Sequence, residues 1–417
     1  MTFTAPRGTQ DILPTEVLYW EYIEQVTAAV FSQFNFQEIR TPIFESTELF
    51  TRSIGTDTDI VEKEMYTFLD KKGRSMTLRP EGTASVVRAY LEHNLGAAQD
   101  VQKLWYQGPM FRYERPQAGR YRQFHQMGGE VLGTKSPIAD AELIQLTIRI
   151  FQKLGLHDLE VSVNSVGCQV CRPVIREKLK SFFGDNLPHL CEDCQRRFKN
   201  NPLRILDCKN KKCKHYLMGL PSMTTTLCHE CQDHFQGVLN ALDIMSVRYK
   251  HNPGLVRGLD YYTKTVFEVT SKHLGAQDAV CGGGRYDRLV KLLGGPEVPA
   301  VGFAFGMERT VMVLKEQKVE IPALGGKKVY CAALGHAARE KLLSLVKDLR
   351  DAGIQAEMEY DDRGLKAQMK RADRFGAVQV VICGDDEVAR KAVQIKDMRT
   401  GEQIEVPWAE VVQKLIS

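Results

Sequence analysis

The sequence predicts a multi-domain α/β protein, with an antiparallel sheet flanked by helices in the larger part and a smaller α/β unit at the C-terminal end. Three observations carry this expectation. At 417 residues the chain is too long for one ordinary core. Two candidate strands, 101–112 and 123–132, are joined by an arginine-rich loop, as in an antiparallel hairpin. From residue 326 onward, short apolar strands alternate with amphipathic helices, which implies a mainly parallel sheet covered by helices.

The elements follow in order. Residues 15–34 read as an amphipathic helix with Val17, Leu18, Tyr22, Val26, Val30 and Phe34 near one face. Phe36 to Phe44 reads as a strand interrupted by Pro42, which lacks a ladder donor and belongs on an edge or at a bulge. The hairpin strands Val101–Arg112 and Gln123–Leu132 flank a loop carrying Arg115, Arg120 and Arg122. On the second strand a period of two puts Phe124, Gln126, Gly128 and Glu130 on one face. An aromatic, an amide, a gap and a carboxylate make a poor apolar core and a good ligand floor. A helix over Ile138–Leu154 ends at Gly155, and Leu159–Val163 is a strand. Composition then shifts: eight of the eleven cysteines lie between residues 168 and 231, so 168–245 reads as an insertion. The antiparallel core resumes at Tyr261–Thr270 and Ala279–Gly284 and continues to a helix after Gly306. Glu320–Gly326 is a linker. Beyond it, strands over Val329–Leu334, Gln355–Tyr360 and Val378–Cys383 alternate with helices over Ala337–Ala352 and Leu365–Phe375.

Bulk properties narrow the class. A net charge of +4 permits a nucleic-acid partner without arguing for one, so local patches must carry that case. No apolar run approaches the roughly 18 residues of a membrane span, and residues 1–7 lack the apolar core of a signal peptide. A cytoplasmic protein without a membrane partner is expected, its cysteines being thiols or metal ligands rather than disulfides.

The most informative stretch is Leu255-Val256-Arg257-Gly258-Leu259-Asp260-Tyr261-Tyr262-Thr263. Adjacent tyrosines point to opposite faces of a strand, and at a strand end both can reach into a cleft. Arg257 adds a fixed positive fork suited to phosphate or carboxylate. The segment resembles the signature of histidyl-tRNA synthetases. So do Leu78-Arg79-Pro80-Glu81-Gly82-Thr83, the run from Met110-Phe111-Arg112-Tyr113-Glu114-Arg115-Pro116 to Glu130, and Gly302-Phe303-Ala304-Phe305-Gly306-Met307-Glu308-Arg309. The resemblance extends from near residue 5 to the C-terminus.

It implies a class II aminoacyl-tRNA synthetase. Residues 1–325 would be the catalytic domain, interrupted by the insertion at 168–245, and residues 326–417 the anticodon-binding domain. The first helix and strand would lie at a homodimer interface, with Pro42 in the first class II motif. The implied reaction is ATP- and Mg2+-dependent ligation of L-histidine to tRNA(His) through histidyl-adenylate, releasing AMP and pyrophosphate. Negative charge then builds on the α-phosphate and the departing pyrophosphate, which preorganised arginines and a magnesium ion can stabilise. By resemblance Arg257 is the catalytic contact to the α-phosphate. Arg112 can grip the α-phosphate and carboxylate, and Arg309 lies near a helix start behind Gly302 and Gly306, where anions are favoured. Phe124 offers a face to adenine and Glu114 an acceptor to its amine. Glu130 and Tyr262 would read the imidazole. Gln126, Glu81, Thr83 and Tyr261 would hold the ammonium and neighbouring groups. A site built to bond both imidazole nitrogens rejects analogues lacking them by roughly 10⁴–10⁵, so no editing domain is required. Gly282-Gly283-Gly284 lacks the spacing and lysine of a P-loop and reads as backbone making room beside the histidine pocket. The rival readings are a catalytically inactive synthetase-like regulatory subunit of histidine biosynthesis, and a zinc-dependent nucleic-acid-binding module.

The insertion departs from the family, most of whose members lack its full cysteine set. Cys168-x2-Cys171 with Cys191-x2-Cys194, and Cys208-x4-Cys213 with Cys228-x2-Cys231, have zinc-ribbon spacings. Two four-thiolate Zn2+ sites would use all eight, though spacing leaves open which knuckles pair. Cys281, Cys331 and Cys383 stand apart and read as core. Arg196, Arg197, Lys199, Arg204, Lys209, Lys211, Lys212 and Lys214 against Asp207 form a basic run that a tRNA acceptor arm could meet. Since no cysteine lies in the motifs, metal is expected to matter more for tRNA than for adenylate formation.

Overall fold

The computed structural model describes residues 3–55, 58–208, 210–216, 223–274, 278–322 and 326–416, and the chain divides into two units, Met1–Ile321 and Pro322–Ser417. Residues 323–325 of the expected linker and Lys209 of the basic run lie outside the described residues.

In the first unit, α1 (Pro14–Gln33) starts with proline, whose missing N–H costs nothing there. It buries Trp20, Ile23, Thr27, Val30 and Phe31, whereas Leu18 is 46 % exposed. The buried face is therefore turned from the expected one. The large rings choose it: Phe31 stacks on Trp105 with centroids 5.0 Å apart and lies 6.0 Å from Phe303. The expected Phe36–Phe44 strand is two short pieces in different sheets. β1 (Gln37–Glu38) runs parallel to β5 (Gln102–Phe111), and β2 (Phe44–Ser46) joins a three-stranded sheet. Between them Arg79 takes the carbonyls of Thr41, at 3.1 Å, and Pro42, at 3.5 Å, so this backbone bonds to a side chain instead of a ladder. Next come α2 (Thr47–Ile54), β3 (Thr67–Leu69), β4 (Ser75–Leu78) and α3 (Thr83–Glu92).

The main sheet has eight strands in the order β1-β5-β6-β11-β10-β9-β7-β8. They are β5 (Gln102–Phe111), β6 (Gln123–Leu132), β7 (Leu159–Ser165), β8 (Lys250–His251), β9 (Thr263–Ser271), β10 (Ala279–Arg285) and β11 (Ala300–Gly306), with β1 on the edge. Its central pairs are antiparallel; only the edge pairs β1–β5 and β7–β8 are parallel. One face packs Met127, Val131, Phe267, Val269, Phe303 and Phe305 with α1 and α4 (Pro137–Lys153) in the principal core. The other face carries the polar alternates.

Within the cysteine-rich stretch lie α5 (Cys171–Phe183), α6 (Glu192–Asn200) and α7 (Lys211–His215), around a small core of cysteines with Ile175, Leu179 and Phe183. The helix that ends it, α8 (His229–Ile244), instead puts Val238 and Leu242 into the principal core. After α9 (Leu289–Leu292), α10 (Met307–Glu316) follows β11 directly.

The second unit has a five-stranded sheet in the order β13-β12-β14-β15-β16. Its strands are β12 (Lys328–Leu334), β13 (Gln355–Met358), β14 (Gln379–Gly384), β15 (Ala392–Asp397) and β16 (Gln403–Pro407), with α11 (His336–Asp351), α12 (Leu365–Phe375), α13 (Asp385–Arg390) and α14 (Val411–Ile416). The sheet is mixed, not mainly parallel: β12 pairs parallel with β13 and β14, while β14–β15 and β15–β16 are antiparallel. The unforeseen hairpin is closed by Thr400–Gly401, where Gly401 takes φ +79°. Cys281, Cys331 and Cys383 are buried, as expected of core residues.

Candidate active site

Register across five strands builds the floor of the site. Tyr106 on β5 faces Gly128 on β6, which faces Ala304 on β11; Ala304 faces Gly282 on β10, and Gly282 faces Glu268 on β9. Residues paired in this way share a face. Small residues in the middle of the row leave a trough with Tyr106 at one end and Glu268 at the other. Two glycines are needed for close approach: a Cβ on Gly282 would overlap the Arg257 guanidinium, and one on Gly302 would overlap the Glu130 carboxylate.

Above this floor lies a cavity of ≈ 540 Å³ lined by Arg112, Glu114, Phe124, Gln126, Arg257 and Arg309, among others. The structure thus gathers these six predicted residues. Arg112 follows β5; its Nε donates to Pro80 O over 2.8 Å, and its head lies 5.3 Å from the Phe124 ring centre. Glu114 is held by Arg120 at 2.8 Å and lies 3.8 Å from Arg112, so the hairpin loop is closed on itself. Arg309, in the first turn of α10, donates to Gly119 O over 3.2 Å and to Ala279 O over 2.5 Å. Arg257 forms an ion pair with Glu268. Its buried Nε and the buried Oε1 of Gln126 have no partner among the described residues. Such orphaned polar atoms beside a cavity point to a polar ligand.

Glu81, Thr83, Glu130, Tyr261 and Tyr262 do not line this cavity; all five are buried and form a polar nest. Glu130 accepts from Thr83 Oγ1 over 2.7 Å and from Tyr286 OH over 2.5 Å. Glu81 accepts from the backbone N–H groups of Thr83, at 2.6 Å, and Ala84, at 2.9 Å, at the start of α3. Burial pushes the Glu130 carboxyl up to about 8, against the lowering effect of its hydrogen bonds from Tyr286 and Thr83. Burial likewise raises Glu81, offset by its backbone N–H partners. Burial pushes the Tyr262 phenol up to about 12 and raises Tyr261 and Tyr286 further, so all three remain donors at neutral pH. The tyrosines are not on a strand with opposed faces. β9 begins only at Thr263, and in the turn before it the rings sit together, 4.8 Å apart.

Sequence reasoning missed Tyr106, Glu268 and Tyr286. Glu268 had a signal, since Val266, Glu268 and Thr270 alternate on one face of β9, where a lone carboxylate is out of place. Tyr286 follows Arg285, whose guanidinium is fully buried and pairs with Asp140. Asp140 also accepts from Thr265 over 2.6 Å and lies 2.7 Å from His234 Nε2. That buried network fixes the end of β10 and so aims the Tyr286 phenol.

The eight cysteines form two groups of four: Cys168, Cys171, Cys228 and Cys231, and Cys191, Cys194, Cys208 and Cys213. The pairing is nested, and differs from the sequential sets the spacing suggested. Within each group the sulfurs lie within 4.8 Å of one another. Cys168 is 3.7 Å from Cys171 and 3.8 Å from Cys228, and Cys191 is 3.8 Å from Cys208. Tetrahedral zinc with bonds of about 2.3 Å puts sulfurs about 3.75 Å apart, so the geometry fits. Backbone N–H groups of Cys228 and Cys191 donate to Cys171 and Cys213 Sγ, over 3.1 and 3.2 Å. The basic run is not a free patch: Arg197 pairs with Asp59 at 3.0 Å, Arg196 with Glu62 at 3.6 Å, and Arg204 with Asp260 at 3.1 Å.

Among known proteins, the family model described as histidyl-tRNA synthetase matches residues 8–177 and 211–310, and that of an anticodon binding domain matches residues 328–417. The gap from 178 to 210 falls on the part of the insertion that holds Cys191, Cys194 and Cys208. A histidine–tRNA ligase of Halothermothrix orenii is 49 % identical over 415 residues, covering 100 % of this chain and 99 % of the relative. Another, from Desulfitobacterium hafniense strain DCB-2, is 51 % identical over 417 residues, covering 99 % and 98 %. The crystal structure of apo Staphylococcus aureus histidyl-tRNA synthetase superposes with a TM-score of 0.84 at 38 % identity, over 100 % of both chains.

Proposed function

The chain belongs to the histidyl-tRNA synthetase family, and on that footing we propose how its residues divide the work. Its activity is that of a histidine–tRNA ligase, the ATP-dependent joining of L-histidine to tRNA(His). In the first step a carboxylate oxygen of histidine attacks the α-phosphorus of ATP. A new P–O bond forms, the bond to the β-phosphate oxygen breaks, and pyrophosphate leaves. In the second, a ribose hydroxyl of the tRNA attacks the adenylate carbonyl and AMP leaves. One observation carries the assignment: Arg112, Arg257 and Arg309, from three distant segments, converge on one cavity beside an unpartnered Gln126. They neutralise the charge that grows on the phosphates. Adenine rests on Phe124 with Glu114 at its edge, which requires Glu114 to release Arg120. The histidine side chain enters the nest, where Glu130 and Tyr262 meet the imidazole and Glu81, Thr83, Gln126 and Tyr261 the ammonium side. Magnesium, a hard ion that takes oxygen ligands, would find a carboxylate at Glu268, beside Arg257.

Residues 1–325, with the insertion at 168–245, form the catalytic domain and 326–417 the anticodon-binding domain. The division after Ile321 supports this. Zinc at the two cysteine groups is supported by their tetrahedral spacing. A homodimer is supported by exposed apolar side chains on the small sheet, Phe44 and Phe68, whose rings lie 6.3 Å apart and which a second copy would cover. A cytoplasmic site of action suits eight reduced thiols, and no helix among the described residues is long and apolar enough to cross a membrane. A regulatory subunit is less supported, because the three arginines and the C-terminal unit are all present. Histidine-dependent exchange of pyrophosphate into ATP tests the proposal; exchange that does not require histidine would overturn it.

A further inference from the structure

The insertion reaches the signature segment through three side chains. Arg204 Nε donates to Asp260 Oδ1 over 3.1 Å, and Asn201 Nδ2 donates to the same oxygen over 3.2 Å. Arg172 donates to the backbone carbonyls of Asp260, over 3.3 Å, and of Tyr262. Asp260 is also gripped from the other side: its N–H reaches Ile54 O over 3.4 Å, and its carboxylate packs where a Cβ on Gly55 would stand. Arg257 lies only three residues before Asp260, and the stretch from residue 256 to 262 is in neither helix nor strand. No ladder fixes the backbone at Arg257, whose head pairs with Glu268; side-chain bonds from elsewhere must hold that backbone. The donors are tied to the cysteine groups by sequence. Arg172 follows Cys171, and Asn201 and Arg204 lie between Cys194 and Cys208. The insertion also walls the main cavity, with Leu206, Asp207, Cys208 and Lys214 lining it opposite the sheet residues.

We propose that the cysteine-rich insertion is a clamp on the catalytic segment, with Arg204 the positioning residue that, through Asp260, holds Arg257 at the phosphate site. The insertion then serves adenylate formation as well as tRNA. The proposal rests on the assignment of Arg257 to the α-phosphate. A flexible segment would present its guanidinium in many places, and misplacement by about 1 Å can cost about a hundredfold in rate.

The test uses full-length protein as purified with its native metal content. Arg204→Ala is compared with Arg204→Lys and with Asp260→Asn, which keeps the shape of the side chain and removes its charge. Two quantities are read: amide hydrogen exchange in peptides spanning residues 255–262, and kcat and KM of histidine-dependent pyrophosphate exchange. Arg204→Ala and Asp260→Asn are expected to speed amide exchange in that segment and to lower kcat by about tenfold to a hundredfold, with little change in KM for histidine. Arg204→Lys, which keeps the charge, recovers most of both. Unchanged amide protection in Arg204→Ala and Asp260→Asn overturns the clamp. Faster amide exchange with undiminished kcat overturns its role in the reaction. Arg257→Ala, measured in parallel, separates that result from a failure of the Arg257 assignment, because it must lose rate whatever Arg204 does.

Discussion

Glu130→Gln tests the histidine pocket most directly. The Glu130 carboxyl is fully buried, and burial pushes its pKa up to about 8. At pH 7 such a group is ionised in only about one molecule in ten. A ligand that needs the carboxylate must first drive off that proton, so histidine affinity rises with pH, by about eightfold between pH 7 and 8.5. Gln has no proton to lose, so the slope disappears. It also cannot supply a charged acceptor, and losing a charge-assisted hydrogen bond of about 1.5–3 kcal/mol weakens histidine binding by about 10- to 150-fold. Stability moves the other way. The folded pKa lies above the unfolded value, so the carboxyl's contribution is fully present below about pH 4.5 and is lost as pH rises through about 8. Between pH 5 and pH 7 this loss is about 2–3 kcal/mol, and Glu130→Gln should be spared it. Histidine titrations by calorimetry at three pH values between 7 and 8.5, with thermal melts of the empty proteins, read both effects. An affinity for histidine that is flat across that window in the wild type, or a slope that survives in Glu130→Gln, would refute the reasoning.

Arg257→Ala should lower single-turnover adenylation by about 10²–10³, as the loss of one preorganised donor does, with a smaller effect on histidine binding; an unchanged rate removes Arg257 from the reaction. A chain ending after Ile321 should still form histidyl-adenylate and charge tRNA(His) poorly. If it stays folded yet makes no adenylate, the division of labour is wrong. Protein purified without added metal should hold about two zinc ions per chain by elemental analysis, one for each group of four thiolates. A content near zero with all eight thiols titratable would dismiss the metal centres. Stripping the metal should slow adenylate formation as well as tRNA charging, because Cys208 lines the cavity itself.

What could be read in advance was whatever depends on local spacing. A period of two put Phe124, Gln126, Gly128 and Glu130 on one face of β6, and the structure keeps them so, with Phe124 and Gln126 at the cavity and Gly128 making room for the Tyr106 ring. The expectations that failed depended on partners distant in sequence. Glu268 meets Arg257 because β9 and β10 pair in one register, and nothing within β9 states that register. The cysteine groups nest because the segment between them folds back on itself. The outer group joins residues near 170 and 230 at the root of the insertion, while the inner group closes its tip. Sequential pairing would have made two independent knuckles, each free to move on the sheet. Nesting places the inner site on a stem that the outer site closes. The short segment between Cys194 and Cys208 can then bear on Asp260 with fixed geometry. A basic run that read as a contact for a tRNA acceptor arm is thus partly spent inside the protein: Arg204 has only 12 % of its side chain exposed and faces a carboxylate. Charge clustering in a sequence reports composition alone. The acids that answer it, Asp59, Glu62 and Asp260, lie outside the insertion, so these three arginines tie the insertion to the rest of the catalytic unit.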